Sequence, residues 1–142
     1  MNFIAGRIAQ ESDRLGITVD RIANQASAPL FLPLPDPAAI AGQAGRSIVL
    51  GVRPEAIGFA NQVGSADQGD SAAPGFERVR FDCAVSVLEP TGADTMAIIR
   101  LGESEAVARI RPSDPAAPGA TAPFVIDMTK VNLFDPQSER RI

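Results

Sequence analysis

Val79-Arg80-Phe81-Asp82-Cys83-Ala84-Val85-Ser86-Val87 is the stretch that decides the fold. Val79, Phe81, Cys83, Val85 and Val87 fall on one face, and Arg80, Asp82 and Ser86 fall on the other. A strict period of two belongs to a strand with one buried side, because successive side chains point to opposite faces. Downstream, Gly92 marks a turn before a run from Thr95 to Leu101, and Gly102-Glu103 folds the chain back into Ala106 to Arg111. That pattern predicts a hairpin. Residues 115–123 read as a loop, Phe124, Ile126 and Met128 as the next strand, and Val131 to Phe134 as the last, stopped at Asp135-Pro136.

Upstream, Asn2 to Ile8 reads as a strand, Asp13 to Gly16 as a turn and Ile17 to Ile22 as a second strand. Leu30, Phe31 and Leu32 precede Pro33 and Pro35, which have no N–H for a ladder, so an edge or an extended arm is expected. An apolar edge of this kind would be a surface for self-association. Asp36-Pro37 looks like an N-cap and first helical position, opening a short helix ended by Gly42 and Gly45. Ser47 to Val52 is a buried strand that runs into Arg53-Pro54-Glu55. Residues 61–75 turn to Gly, Ser, Ala, Asp and Gln, a solvated loop between lobes at 1–60 and 76–142. Short strands with dense turn signals and little helix imply an all-β chain, a small barrel or compact sandwich.

Composition removes several function classes. The net charge of -4 works against nucleic acid, which needs clustered cations. Seven Phe without Trp or Tyr give few stacking platforms for single strands. With no His there are no His metal ligands and no His acid–base chemistry. The single cysteine, Cys83, sits in the apolar alternation and reads as a core residue. The apolar runs are too short to span a membrane, and no signal-like segment opens the chain. The expected location is the cytoplasm.

The candidate chemistry is sparse. Gly42-Gln43-Ala44-Gly45-Arg46-Ser47 faintly suggests a phosphate loop, but Ile40 stands where the first glycine is required and Arg46 replaces the lysine. No catalytic, cofactor-binding or metal-ligating set emerges. Arg53 could donate to an anion with Glu55 orienting it, but a turn fixed by Pro54 with locally paired charges is the simpler reading. Glu89 with Pro90 and Gly92 reads as a solvated carboxylate beside a turn. Asp135 reads as the cap of the turn at Pro136, too isolated from Glu139 to hold a metal.

Three strings carry a resemblance: Gly51-Val52-Arg53-Pro54-Glu55, Val87-Leu88-Glu89-Pro90-Thr91-Gly92-Ala93-Asp94-Thr95, and Asp127-Met128-Thr129-Lys130-Val131-Asn132-Leu133-Phe134-Asp135. In this order, after Met1-Asn2-Phe3-Ile4, they resemble the C-terminal regulatory domain of the ATPase subunit of bacterial sugar-importing ABC transporters of the maltose and multiple-sugar class. The resemblance covers essentially the whole chain. It implies an OB-like barrel (a TOBE module) with a further strand-rich lobe, at most short helices and no catalysis. In that family an ATP-hydrolysing domain precedes the module, and ATP and magnesium would belong to that absent domain. The implied partners are a second copy, the membrane subunits and, in some members, an inhibitory signalling protein, at the inner face of the membrane. Arg53, Pro54 and Glu55 would mark the passage between halves of the domain, and Glu89, Gly92, Asn132, Phe134 and Asp135 are further structural or interface candidates. Asn132 stands where the family usually has His, and Asp94 where Glu is commoner.

A second resemblance starts from Asn2-Phe3-Ile4-Ala5-Gly6-Arg7-Ile8, which is similar to the core of molybdate-binding TOBE modules. It implies an oxyanion held at a subunit interface, and it ranks behind the sugar-importer reading because the Ser-Ala-Arg lead-in of that motif is missing. An enzyme ranks third.

Overall fold

The computed structural model describes residues 1–20, 28–60 and 78–142, and among these ten strands form two five-stranded antiparallel sheets. The first sheet contains β1 (Asn2–Glu11), β2 (Arg14–Val19), β3 (Leu30–Pro33), β4 (Ser47–Val52) and β10 (Asn132–Phe134), in the order β10-β4-β1-β2-β3. The second contains β5 (Ile57–Phe59), β6 (Arg78–Pro90), β7 (Thr95–Leu101), β8 (Ser104–Ile110) and β9 (Thr121–Asp127), in the order β5-β9-β6-β7-β8. The edge strands β5 and β8 of this sheet approach each other, so it curls toward a barrel. The all-β architecture read from the alternation, and the OB-like curl that the resemblance implied, are observed.

The loop expected at 61–75 lies outside the described residues. The sheets nevertheless exchange strands across it, because β5 precedes it yet pairs with β9, and β10 follows it yet pairs with β4. A cut in the sequence is therefore not a cut between sheets. One continuous core runs through both, from Ile4, Ile8, Ile17 and Leu50 to Ile57, Ile99 and Ile126. Its aromatic centre lies in the second sheet, where the Phe124 ring meets Phe59 edge-on at 6.1 Å and stacks with Phe81 at 6.2 Å.

Three local expectations need correction. Val87 is 44% exposed, because the β6–β7 register shifts between Val85 and Val87 and the extra residue turns every later side chain over. β3 is an edge strand, but Leu30 and Leu32 are buried and only Phe31 is half-exposed, so it offers no bare apolar edge. The short helix expected after Asp36 is present as a single 3-10 turn at Ala38–Ile40, with the Ala38 N–H donating to Asp36 Oδ1 at 3.2 Å. The first turn is tighter than expected, since β2 already begins at Arg14; the expected end of that strand at Ile22 lies outside the described residues. Cys83 is buried, its Sγ directed at the Arg100 carbonyl.

Candidate functional site

The Arg53-Pro54-Glu55 string lies where the chain leaves β4 in the first sheet and enters β5 in the second. Arg53 is extended (φ -76°, ψ 149°), as a residue before proline must be, and its carbonyl accepts the Ala56 N–H at 2.9 Å. Pro54 opens the 3-10 turn, and Ala56 is buried beneath it. The Arg53 and Glu55 side chains are exposed and 3.9 Å apart, a separation at which an ion pair contributes little. The turn is set by backbone and burial, with the charges outside it.

A second contact between the sheets was not legible in the sequence. Asn2, at the start of β1, is buried, and its side-chain amide copies a backbone ladder. Nδ2 donates to the Val107 carbonyl at 2.8 Å, and Oδ1 accepts the Val107 N–H at 2.8 Å. The amide thus closes the open edge of β8 and pins it to the first sheet.

The next residue opens the outer face of that sheet. Phe3, Gly51 and Asn132 are aligned across β1, β4 and β10, and Ala5, Val49 and Phe134 form the next row. Phe3 is 57% exposed and meets the Phe134 ring edge-on at 5.8 Å. At Gly51 a Cβ would stand 2.5 Å from Phe134 Cε2 and 2.9 Å from Met1 Sδ, so glycine lets both side chains lie against the strand where they are. Met1 adds exposed apolar surface. The C-terminal tail returns along β10, where the Ile142 N–H donates to the Leu133 carbonyl at 2.9 Å.

Asp135 closes this region. Its Oδ1 accepts the backbone N–H groups of Gln137 and Ser138, each at 2.8 Å, while Oδ2 pairs with Arg46. These hydrogen bonds, those of Ser138 and Gln137 foremost, hold its carboxyl at about 2, below the ordinary 3.8. Arg46, the residue that stood in place of a phosphate-loop lysine, is engaged by Gln43 and Asp135. That engagement does not fit a nucleotide phosphate.

On the second sheet, Glu89 and Pro90 end β6 opposite Met96 and Thr95. Gly92 takes a left-handed φ of 97° in the turn that follows, closed by the Thr91 N–H on the Asp94 carbonyl at 2.9 Å. Glu89 is exposed. Asp94 does more than complete the turn, because its Oδ2 accepts from Arg109 Nε at 2.8 Å and Nη2 at 2.6 Å. The hydrogen bond and charge of Asp94 raise the pKa of Arg109. The family motif ends near Asp94 and the hairpin pattern places Arg109 at the far end of β8, so the two together were the available signal.

Arg109 belongs to a cleft of about 390 Å³. Arg78, Arg109, Arg111 and Lys130 line it, with Glu55, Asp94 and Asp127. Asp127 is buried; it caps the turn at Met128–Lys130 by accepting the Thr129 N–H at 3.1 Å and lies 3.4 Å from Lys130 Nζ. Burial pushes its pKa up, but the Thr129 hydrogen bonds and Lys130 together bring it below the usual value. Of the residues singled out in the sequence, the structure brings Asn132 and Phe134 to the apolar face and Glu55 to the cleft. Glu89 joins neither.

A family model described as the TOBE domain matches residues 50–134, and one described as the MalK OB fold domain matches residues 1–57. The chain belongs to the TOBE domain family. Its relatives include the sulfoquinovosyl glycerol transport ATP-binding protein SmoE of Agrobacterium fabrum, 30% identical over 96% of this chain and 34% of that protein. The sn-glycerol-3-phosphate import ATP-binding protein UgpC of Pectobacterium atrosepticum is 32% identical over the whole chain and 33% of its own length, and that of Salmonella typhimurium 29% over the same shares. This TOBE chain thus spans about a third of the relatives it matches. They are import ATP-binding subunits, the class that the three strings resembled. Among solved structures, the cytoplasmic molybdate-binding protein ModG shares the fold, with a TM-score of 0.57 at 15% identity over 95% of this chain and 96% of that one.

Proposed function

We propose that this chain is the regulatory and dimerisation domain of the ATP-binding subunit of a carbohydrate-importing ABC transporter, without a catalytic centre of its own. One observation supports the dimer most directly. The outer face of the first sheet exposes Met1 and Phe3 around the half-buried Phe134, and an apolar cluster of that kind suits a partner surface. A two-fold contact sets the same patch against itself. The partner surface therefore moves from the β3 edge, whose leucines are buried, to Phe3 and Phe134. ATP and Mg²⁺ would act in the larger part of the parent subunit. The membrane subunits, and an inhibitory signalling protein where one exists, would engage the whole assembly at the cytoplasmic face of the inner membrane. Among the described residues no helix is long and apolar enough to cross a membrane.

Sedimentation at increasing concentration tests the dimer. Self-association is expected, and F3S or F134S should weaken it without loss of fold; a strict monomer at millimolar concentration counts against the patch. Calorimetry with ATP, together with phosphate release, should be flat.

The second reading is an oxyanion-binding TOBE module, favoured by the shared fold with a protein described as binding molybdate. The first strand speaks against it. Both ends of the Asn2 amide are occupied by Val107, so the polar side chain of the molybdate-like string is engaged within the chain.

A further inference from the structure

The cleft on the second sheet is electrostatically out of character for this protein. The chain carries 13 Lys and Arg against 17 Asp and Glu, yet four of those cations and only three carboxylates line this one concavity. The cations exceed the carboxylates by one, a small excess that a concave wall accentuates by focusing the field. Two of the carboxylates pair with cations of the same cleft, Asp94 with Arg109 and Asp127 with Lys130, so neither pair adds net charge. Arg111 differs from the other cations. Its main chain is fixed by Asp114, which takes the Arg111 N–H on Oδ2 at 2.7 Å and donates its own N–H to the Arg111 carbonyl at 3.0 Å. Its guanidinium makes no ion pair among the described residues.

We propose that this cleft binds a small polyhydroxylated oxyanion, the chemical class of a sugar or polyol phosphate. A guanidinium fork matches the oxygens of a tetrahedral anion two at a time, which assigns the anionic end to Arg111 with Arg109 beside it. Glu55 and the free lone pairs of Asp94 accept hydrogen bonds and donate none, so they suit the hydroxyls of a polyol and repel a second charge. The volume of about 390 Å³ lies within the usual range for small-ligand sites of roughly 300–1,000 Å³. A bare oxyanion meets the three carboxylates without using them, so it binds less well than its ester. Only the consequence of binding, a signal to the transporter, rests on the regulatory reading; the site itself does not.

Isothermal titration of the 142-residue chain with glucose 6-phosphate, inorganic phosphate and glucose tests the proposal. Saturable binding of the ester is expected, about tenfold tighter than of phosphate, with no heat from glucose. R111Q should weaken the ester by about tenfold or more, and R111K by less, since it keeps the charge and loses the fork. Neither should shift the melting temperature of the free protein, because the Arg111 side chain has no ion partner to lose. Absence of ester binding, or binding indifferent to R111Q, overturns the site, and equal affinity for phosphate overturns the polyol assignment. Sedimentation of the same samples reports separately on the dimer, so the two readings fail independently.

Discussion

The outer face of the first sheet and the cleft of the second solve opposite problems with the same strand architecture. On the first sheet, Gly51 removes a side chain so that the Phe134 ring can lie against the backbone, and Phe3 stands exposed beside it. The Phe3–Phe134 centre of that face is apolar, with Arg7 further along β1 and the Arg46–Asp135 pair beside it, and association would gain mainly from apolar area removed from water. On the second sheet, seven charged side chains surround one cleft, drawn from the turn at Pro54–Ala56, the start of β6 and the turn after it, the end of β8 and the chain from Asp127 to Lys130. What such a surface can select is a charge pattern and a set of hydrogen-bonding groups. The difference teaches that one strand architecture can carry two contrasting surfaces, one apolar and proposed for a protein face, the other charged and proposed for a small polar solute. They meet at Asn2, whose backbone neighbours Phe3 and whose side chain holds β8, the strand that carries Arg109.

The largest expected effect tests whether the two sheets are one folding unit. Phe124 is fully buried between the Phe59 and Phe81 rings, so F124A should cost roughly 3–5 kcal/mol. Because the core is continuous, chemical denaturation should still show one transition, with amides of β1 and β9 losing protection together. Two separated transitions would break the comparison into one between independent domains.

Next in size is the clasp. N2A leaves the Val107 N–H and carbonyl without their partners, and the penalty for such unpaired groups is about 1–3 kcal/mol. Hydrogen exchange should quicken at Val107 more than at the β6–β9 ladder. Uniform quickening would mean that Asn2 stabilises the fold without specifically joining the sheets.

How much of this could be read in advance depended on the range of the interaction. The β7–β8 hairpin and most of β6 follow from alternation and from Gly92 and Gly102, which act on neighbours in the sequence. The bulge at Val85/Val87 was invisible, because one extra residue leaves the apolar spelling unchanged while reversing its direction. The clasp joins residues 105 positions apart, and nothing local to Asn2 points to Val107. The string Arg53-Pro54-Glu55 was legible as a passage between halves, whereas the cation set of the cleft comes from β6, β8 and the turn before β10, elements that only the folded sheet brings together.

A smaller effect concerns acid. The Asp135 carboxyl titrates at about 2 when folded and near 3.8 when free. A depressed folded value means that its contribution is present above pH 3.8 and is lost as pH falls toward 2. D135N should therefore flatten the acid limb of a stability–pH curve in that window, leaving the part due to Asp127, whose pKa is also lowered. An unchanged slope would show that the Gln137 and Ser138 hydrogen bonds do not persist in solution, and the closure beside the apolar face would be looser than drawn.

The smallest expected effect is no effect, and it bears on the ranking of the two TOBE readings. A ligand at a hundred times its dissociation constant adds roughly 2.7 kcal/mol to stability, so melting curves with molybdate and sulfate read binding directly. A buried oxyanion needs several converging N–H or hydroxyl donors. Around β1 the chain offers the Asn2 amide, already held by Val107, and Arg7 on the exposed face, with no hydroxyl before Ser12. Molybdate should therefore stabilise no more than sulfate does. A molybdate-specific rise abolished by N2A would place anion binding on the first sheet and make oxyanion sensing the primary function. A rise abolished by R111Q instead would belong to the cleft, and would show that its cations outweigh the carboxylates even for an anion with no hydroxyls to offer.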